Sequence, residues 1–190
     1  MRRLFAFAAI AALGFAAPAA AAEPPLPAMA ELLAATSGEW RGELQYRDYQ
    51  SNSWEGLPVT VRIQAQGDGV TMVRTAAFDD GPKAGIVTIT TVTQIDPATG
   101  RESYASFRKG RDTDSGTAQL SPGSGPRDLT HWTIIATETR TDGNSLALVR
   151  ETTTRDGSAL VTVKEVDPIG DGVDGWMPRN RTVLQLAGHP

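Results

Sequence analysis

The clearest hydrophobic pattern in the chain is a strict two-residue alternation. Over residues 57–66, Leu57, Val59, Val61, Ile63 and Ala65 fall on one face, and Pro58, Thr60, Arg62, Gln64 and Gln66 fall on the other. That is the pattern of a strand with one buried and one wet face. Nine further runs share its Thr- and Val-rich texture: 40–49, 70–78, 85–95, 101–108, 113–120, 129–140, 145–155, 159–166 and 180–187. β-Branched residues suit a pleated, half-buried surface, so each run reads as a strand. Trp132, Ile134 and Ala136 oppose His131, Thr133 and Thr137, while Trp40, Gly42, Leu44 and Tyr46 share one face. Two runs are mixed. Val70, Met72, Arg74, Ala76 and Phe78 put an arginine among apolar neighbours, and Leu146, Leu148, Arg150 and Thr152 do the same.

Turn chemistry separates the runs. Gly67-Asp68-Gly69, Asp79-Asp80-Gly81-Pro82, Asp142-Gly143-Asn144 and Asp156-Gly157 supply positions that tolerate a left-handed backbone or fix φ. Short turns of this kind join sequential antiparallel neighbours. A meander of eight to ten strands has two raw edges unless it closes on itself, so the expected fold is an all-β, up-and-down barrel. A two-layer sandwich needs Greek-key crossings, for which only the longer connections at 121–128 and 167–178 leave room. A barrel of this strand number is filled by side chains or holds one small ligand. Ahead of it, Met29, Leu32 and Leu33 align on one side of a short helix within 29–35, which Thr36, Ser37 and Gly38 end.

The first residues set the expected compartment. Arg2 and Arg3 precede an apolar run from Leu4 to Ala22 that ends Ala20-Ala21-Ala22, the layout of a cleaved secretory signal peptide. The expected organisation is a signal at 1–22, a Pro-rich leader and short helix at 23–35, and a barrel domain at 36–190. Cleavage after Ala22 leaves 168 residues with a net charge of −6. No later run is apolar enough to span a bilayer, so no stable membrane insertion is expected after cleavage. The Ala-rich signal and the bias of 15 Arg to 3 Lys point to a bacterial periplasmic or secreted protein, expected to be a monomer.

Composition removes whole classes of chemistry. The absence of cysteine excludes disulfides, thiolate metal sites and thiol nucleophiles. The acidic balance speaks against nucleic-acid binding. The chain has no G-x-S-x-G, S-x-x-K or H-E-x-x-H motif, and the acidic Gly-rich stretches at 112–116 and 171–175 fit turns better than calcium loops. No catalytic residue, metal site or cofactor is predicted.

Gly38-Glu39-Trp40 opens the first strand directly after the short helix, and Arg179 and Arg181 lie in the last. This resembles the calycin group of lipocalins, fatty-acid-binding proteins and related bacterial barrels. The resemblance implies that Trp40 is buried at the closed end and that an arginine from the end of the barrel, Arg181 or else Arg179, packs across its indole; Arg181 is taken as the pair. The opening Gly38-Glu39-Trp40-Arg41-Gly42 is also similar to small haem-binding bacterial barrels, but those need an axial histidine. His189 lies beyond the last strand and His131 falls on the wetter face.

The candidate ligand-binding residues are Tyr46, Arg74, Tyr104, Trp132 and Arg150. The aromatics offer apolar area with a polar handle, and an inward arginine needs a carboxylate, a carbonyl or a ligand anion. The expected function is a periplasmic lipocalin-like carrier of a small, mostly apolar, fatty-acid-like ligand. The alternative is a protein-interaction module, an inhibitor or envelope assembly factor, acting through loops that include Trp54, which the sequence places in a hairpin tip. An enzyme on the same barrel is the least favoured reading, since nothing in the sequence names a reaction.

Overall fold

A computed structural model describes residues 27–188 apart from 126, 144 and 174. The predicted signal peptide, the start of the leader and His189 lie outside the described residues. Helix α1 (Met29–Ala34) precedes ten strands: β1 (Gly38–Arg47), β2 (Trp54–Ala65), β3 (Thr71–Asp79), β4 (Ile86–Asp96), β5 (Arg101–Arg108), β6 (Asp114–Pro122), β7 (His131–Asp142), β8 (Ser145–Asp156), β9 (Ala159–Pro168) and β10 (Met177–Gly188). A one-turn helix, α2 (Gly81–Ala84), stands in the β3–β4 connection, where the sequence predicts a plain turn. Every neighbouring pair is antiparallel and follows chain order, and β1 pairs with β10 to close the barrel. The all-β meander and its closure are as predicted.

Closure rests on a seam with little tolerance. Gly42 on β1 pairs with Leu184 on β10 and Val59 on β2. A Cβ at Gly42 would lie 1.9 Å from the backbone oxygen of Val183. Only glycine lets the two strands meet this closely.

One end of the barrel is closed. Helix α1 lies across it, with Leu32 only 1% exposed and packed in one cluster with Trp40, Val61, Ile95, Leu120 and Trp132. Two polar side chains at this end, Trp40 and Arg155, find partners. The Trp40 indole N–H donates to the Thr36 carbonyl at 2.8 Å, and the Arg155 guanidinium donates to the carbonyls of Ala35 and Gly157 while lying 5.8 Å from the Trp40 ring. The arginine over Trp40 is therefore Arg155 of β8, which corrects the predicted Trp40–Arg181 pair. Alternation on β10 turns Asn180, Thr182 and Leu184 to the lumen, so Arg181 points outward, hydrogen-bonds Gln45 and lies 4.4 Å from the Trp54 ring. Trp54 is not a loop tip either. It opens β2 opposite Arg47, and the guanidinium groups of Arg47 and Arg181 lie 5.4 and 4.4 Å from its ring.

Strand β8 corrects a second expectation. Its inward residues are Ala147, Val149, Glu151, Thr153 and Arg155, whereas Leu146 and Leu148 are exposed on the outer face together with Arg150. The reason is register. Trp132, Ile134 and Ala136 of β7 pair with Arg155, Thr153 and Glu151, and directly paired residues share a face.

Candidate functional site

The barrel is not filled. Above the floor of Trp40 and α1 lies a cavity of about 400 Å³, within the size range of small-molecule sites. Its lining is of two kinds. Leu33, Ile63, Leu120, Trp132, Ile134, Leu160 and Leu184 form an apolar part continuous with the core, and Met72 and Phe78 extend it. Arg74, Glu102, Tyr104, Glu138, Arg140, Glu151 and Lys164 face the same space from β3, β5, β7, β8 and β9.

Most of these polar groups hold one another. Arg140 donates to both Asp114 carboxylate oxygens at 2.8 and 2.9 Å, and to the Tyr104 hydroxyl at 2.8 Å. Tyr104 in turn donates to Glu138 at 3.0 Å. Gly116 on β6 makes room for this, since a Cβ there would come within 2.7 Å of the Tyr104 oxygen. Lys164 and Arg179 share the Asp142 carboxylate at 3.4 and 3.0 Å. Thr91 and Ser106, and Thr153 and Thr162, are hydroxyl pairs across neighbouring strands.

Three lumen charges are left over. Among the described residues, Arg74, Glu102 and Glu151 make no direct ion pair. Arg74 and Glu102 are half-buried in the barrel wall, and Glu151 is exposed where it borders the cavity. Enclosure shifts all three toward neutrality. Burial lowers the affinity of the Arg74 guanidinium for its proton, against the pull of Glu151. Burial, with the charges of Glu151 and Glu138, pushes the Glu102 carboxyl up to about 7. Burial also raises Glu151, and Lys164, Arg74 and Arg140 offset this only partly. The Tyr104 phenol is held protonated, first by burial and then by the charge of Glu138.

The predicted site residues divide. Arg74, Tyr104 and Trp132 line the cavity. Tyr46 sits at the open rim, 48% exposed, and is not part of the lining. Arg150 is on the outer face, bonded to Glu165 at 2.8 Å and stacked 4.3 Å from the Trp176 ring. Sequence reasoning missed Glu102, Glu138, Arg140, Glu151 and Lys164. The signal for Glu151 and Lys164 is present in the turns. Asp142 pairs with Ser145 and Asp156 with Ala159, and counting back from those turns sets Glu151 opposite the inward Ala136 and Lys164 opposite Glu151.

Among the described residues no three His, Asp or Glu side chains gather as a metal site. His131 lies on the outer face at the floor end, between Asp128 and Asp156. The arrangement therefore offers an apolar surface, a guanidinium and two carboxyls around one enclosed space.

Comparison with known proteins supports the architecture. No protein-family model matches the sequence, and no curated protein matches it. Among solved structures, Rv2717c from M. tuberculosis superposes with a TM-score of 0.56 at 13% identity, over 84% of this chain and 98% of that one. The likeness is one of fold, and the closed antiparallel barrel fits the calycin type in its general form.

Proposed function

We propose that this barrel is a binding protein for a small amphiphilic molecule, exported to the periplasm by the signal-like segment at 1–22. The observation that carries the reading is Arg74. A guanidinium enclosed by the barrel, facing a cavity and lacking a partner among the described residues, is costly unless something polar enters beside it. A barrel whose only task was to be stable would bring a carboxylate to it or fill the space. The apolar lining beneath supplies a surface for the rest of the ligand. The expected ligand is thus less uniformly apolar than the sequence suggests: an apolar body against Leu33, Trp132 and Leu184, and a polar head among Arg74, Glu102 and Glu151. The test is native mass spectrometry of the protein purified from its own host, with Arg74→Met beside it. The reading expects an added small-molecule mass on the wild type that the variant has lost. A bare wild-type mass, with no binding from a host lipid extract, ends it.

One observation favours interaction through the loops as a second reading. Tyr49, Ile86, Phe107, Leu146, Val173 and Met177 are exposed, and all sit at or beside the connections of the open end. Affinity capture from periplasm with wild type and an Ile86→Ser/Phe107→Ser double variant tests it. A partner held by the wild type alone supports it, and identical captures remove it.

A further inference from the structure

The three lumen charges without an ionic partner are of both signs, and their places in the ring differ. Arg74 is on β3 and Glu151 on β8, five strands apart in either direction around a ring of ten, so they project from opposite walls. Each feels the other's charge, yet no ion pair joins them, and both border the cavity. Glu102, on β5, faces the same space and feels Glu151. Of the remaining cations, Arg140 is bound to Asp114 and Glu138, whereas Lys164 stands cross-strand from Glu151 and eases its charge while its ammonium contacts Asp142.

A ligand must meet this set as a whole. A plain carboxylate head would satisfy Arg74 but stand against two carboxyls. A plain ammonium head would satisfy Glu102 and Glu151 but leave Arg74 bare and facing a like charge. The first leaves both carboxyls without a donor or cation from the ligand, and the second leaves the Arg74 charge uncompensated, which binding cannot easily offset. From this we infer that the lumen takes a zwitterionic head, its anionic end toward Arg74 and its ammonium end toward Glu102 and Glu151, on an apolar tail lying over Trp132 and Leu33. This rests on the small-molecule reading above and names the ligand class for the same cavity. The best-matched class is an aminocarboxylate bearing an alkyl or aromatic tail.

The test is a matched series with one tail: α-amino-octanoate, octanoate, octylamine and octan-1-ol, titrated calorimetrically into the signal-less protein. The zwitterion is expected to bind about tenfold more tightly than either singly charged ligand, equal to about 1.4 kcal/mol. Arg74→Met should erase its advantage over octylamine. Glu102→Gln and Glu151→Gln should erase its advantage over octanoate, and Arg74→Lys should restore part of the first. Thermal unfolding of each variant shows whether it is folded, and the four-ligand comparison on the wild type stands without them. If octanoate or octylamine binds as tightly as the zwitterion, the head-group inference is overturned and the small-molecule reading survives. If none of the four binds, octan-1-ol included, both fall together.

Discussion

Arg155 and Arg74 are two arginines turned to the inside of the same barrel, in opposite circumstances. Arg155, at the closed end, donates to the carbonyls of Ala35 and Gly157 and lies against Trp40. It ties α1, β1 and the β8–β9 turn into one floor. Arg74, farther into the lumen, has no such partners among the described residues and faces a cavity. Their chemistry is identical, so the difference lies in what the surrounding strands bring to them. A satisfied guanidinium marks a part of the molecule that is finished when the chain has folded. An unsatisfied one marks a part completed by something else.

The largest expected effect lies at the seam that makes an inside at all. Gly42→Ala would place a Cβ 1.9 Å from the Val183 oxygen. Backbone cannot yield as a flexible side chain can, so β1 and β10 must separate. A loss of about 3 kcal/mol or more is expected, read by chemical denaturation. A variant as stable as the wild type would show that closure is looser than the geometry implies, and the contrast between floor and lumen would lose its basis.

Arg155→Met comes next. It keeps the apolar stem but strands two carbonyls at the floor and removes the cation from the Trp40 face. A cost of about 2–3 kcal/mol is expected from the same denaturation series. Arg74→Met should go the other way: stability held, or raised by about 1 kcal/mol, because an enclosed charge without a partner is replaced by an apolar group. Similar losses at both positions would erase the distinction between them.

The pH dependence of stability probes the lumen without changing the floor. Glu102 is raised to about 7 from an ordinary value near 4.5, so the folded state holds its proton more tightly than the unfolded chain does. The groups facing it are Thr93 on β4, Tyr104 on its own strand, Glu138 and Arg140 on β7, Glu151 on β8, Lys164 on β9 and Arg74 on β3. Stability should therefore be highest below about pH 4.5 as far as this group is concerned, and should fall as pH rises through 7, by on the order of 2 kcal/mol. Asp128 works in another window. Hydrogen bonds from Thr130 and His131 hold it near 2, so its contribution is lost only as pH falls through the acid range. Denaturation midpoints of wild type and Glu102→Gln between pH 5 and 8 give the check, with a slope expected in the first and a flatter line in the second. Parallel slopes would remove Glu102 as their source.

The architecture was readable because its determinants are local. Alternation over 57–66 and the Gly- and Asp-bearing turns specify strands and antiparallel neighbours without knowledge of the rest. The strand at 145–156 shows where local reading fails. Leu146 and Leu148 are as apolar as Ala147 and Val149, so its own pattern does not say which set faces inward. The choice is made by pairing with β7, whose phase Trp132, Ile134 and Ala136 fix. That one ambiguity put Arg150 inside and left Glu151 unnoticed. The Trp40 partner was missed for a related reason. Closure of the ring, not position near the chain end, decides which arginine reaches the floor, and β8 brings Arg155 there.

The two lumen-facing tryptophans carry the comparison to its finest scale. Both are almost wholly buried, Trp40 at 0% exposure and Trp132 at 2%. The Trp40 N–H has the Thr36 carbonyl at 2.8 Å, whereas the Trp132 N–H has no partner among the described residues. Replacement by phenylalanine removes similar apolar area at each site. At Trp40 it also strands a carbonyl and strips Arg155 of its indole, and at Trp132 it removes an unsatisfied donor. Trp132→Phe should therefore fall within about 1 kcal/mol of the wild type, with Trp40→Phe lower by about another 1–2 kcal/mol. Equal costs, measured by denaturation at one pH, would mean that the Trp132 N–H is satisfied in solution by a water in the cavity.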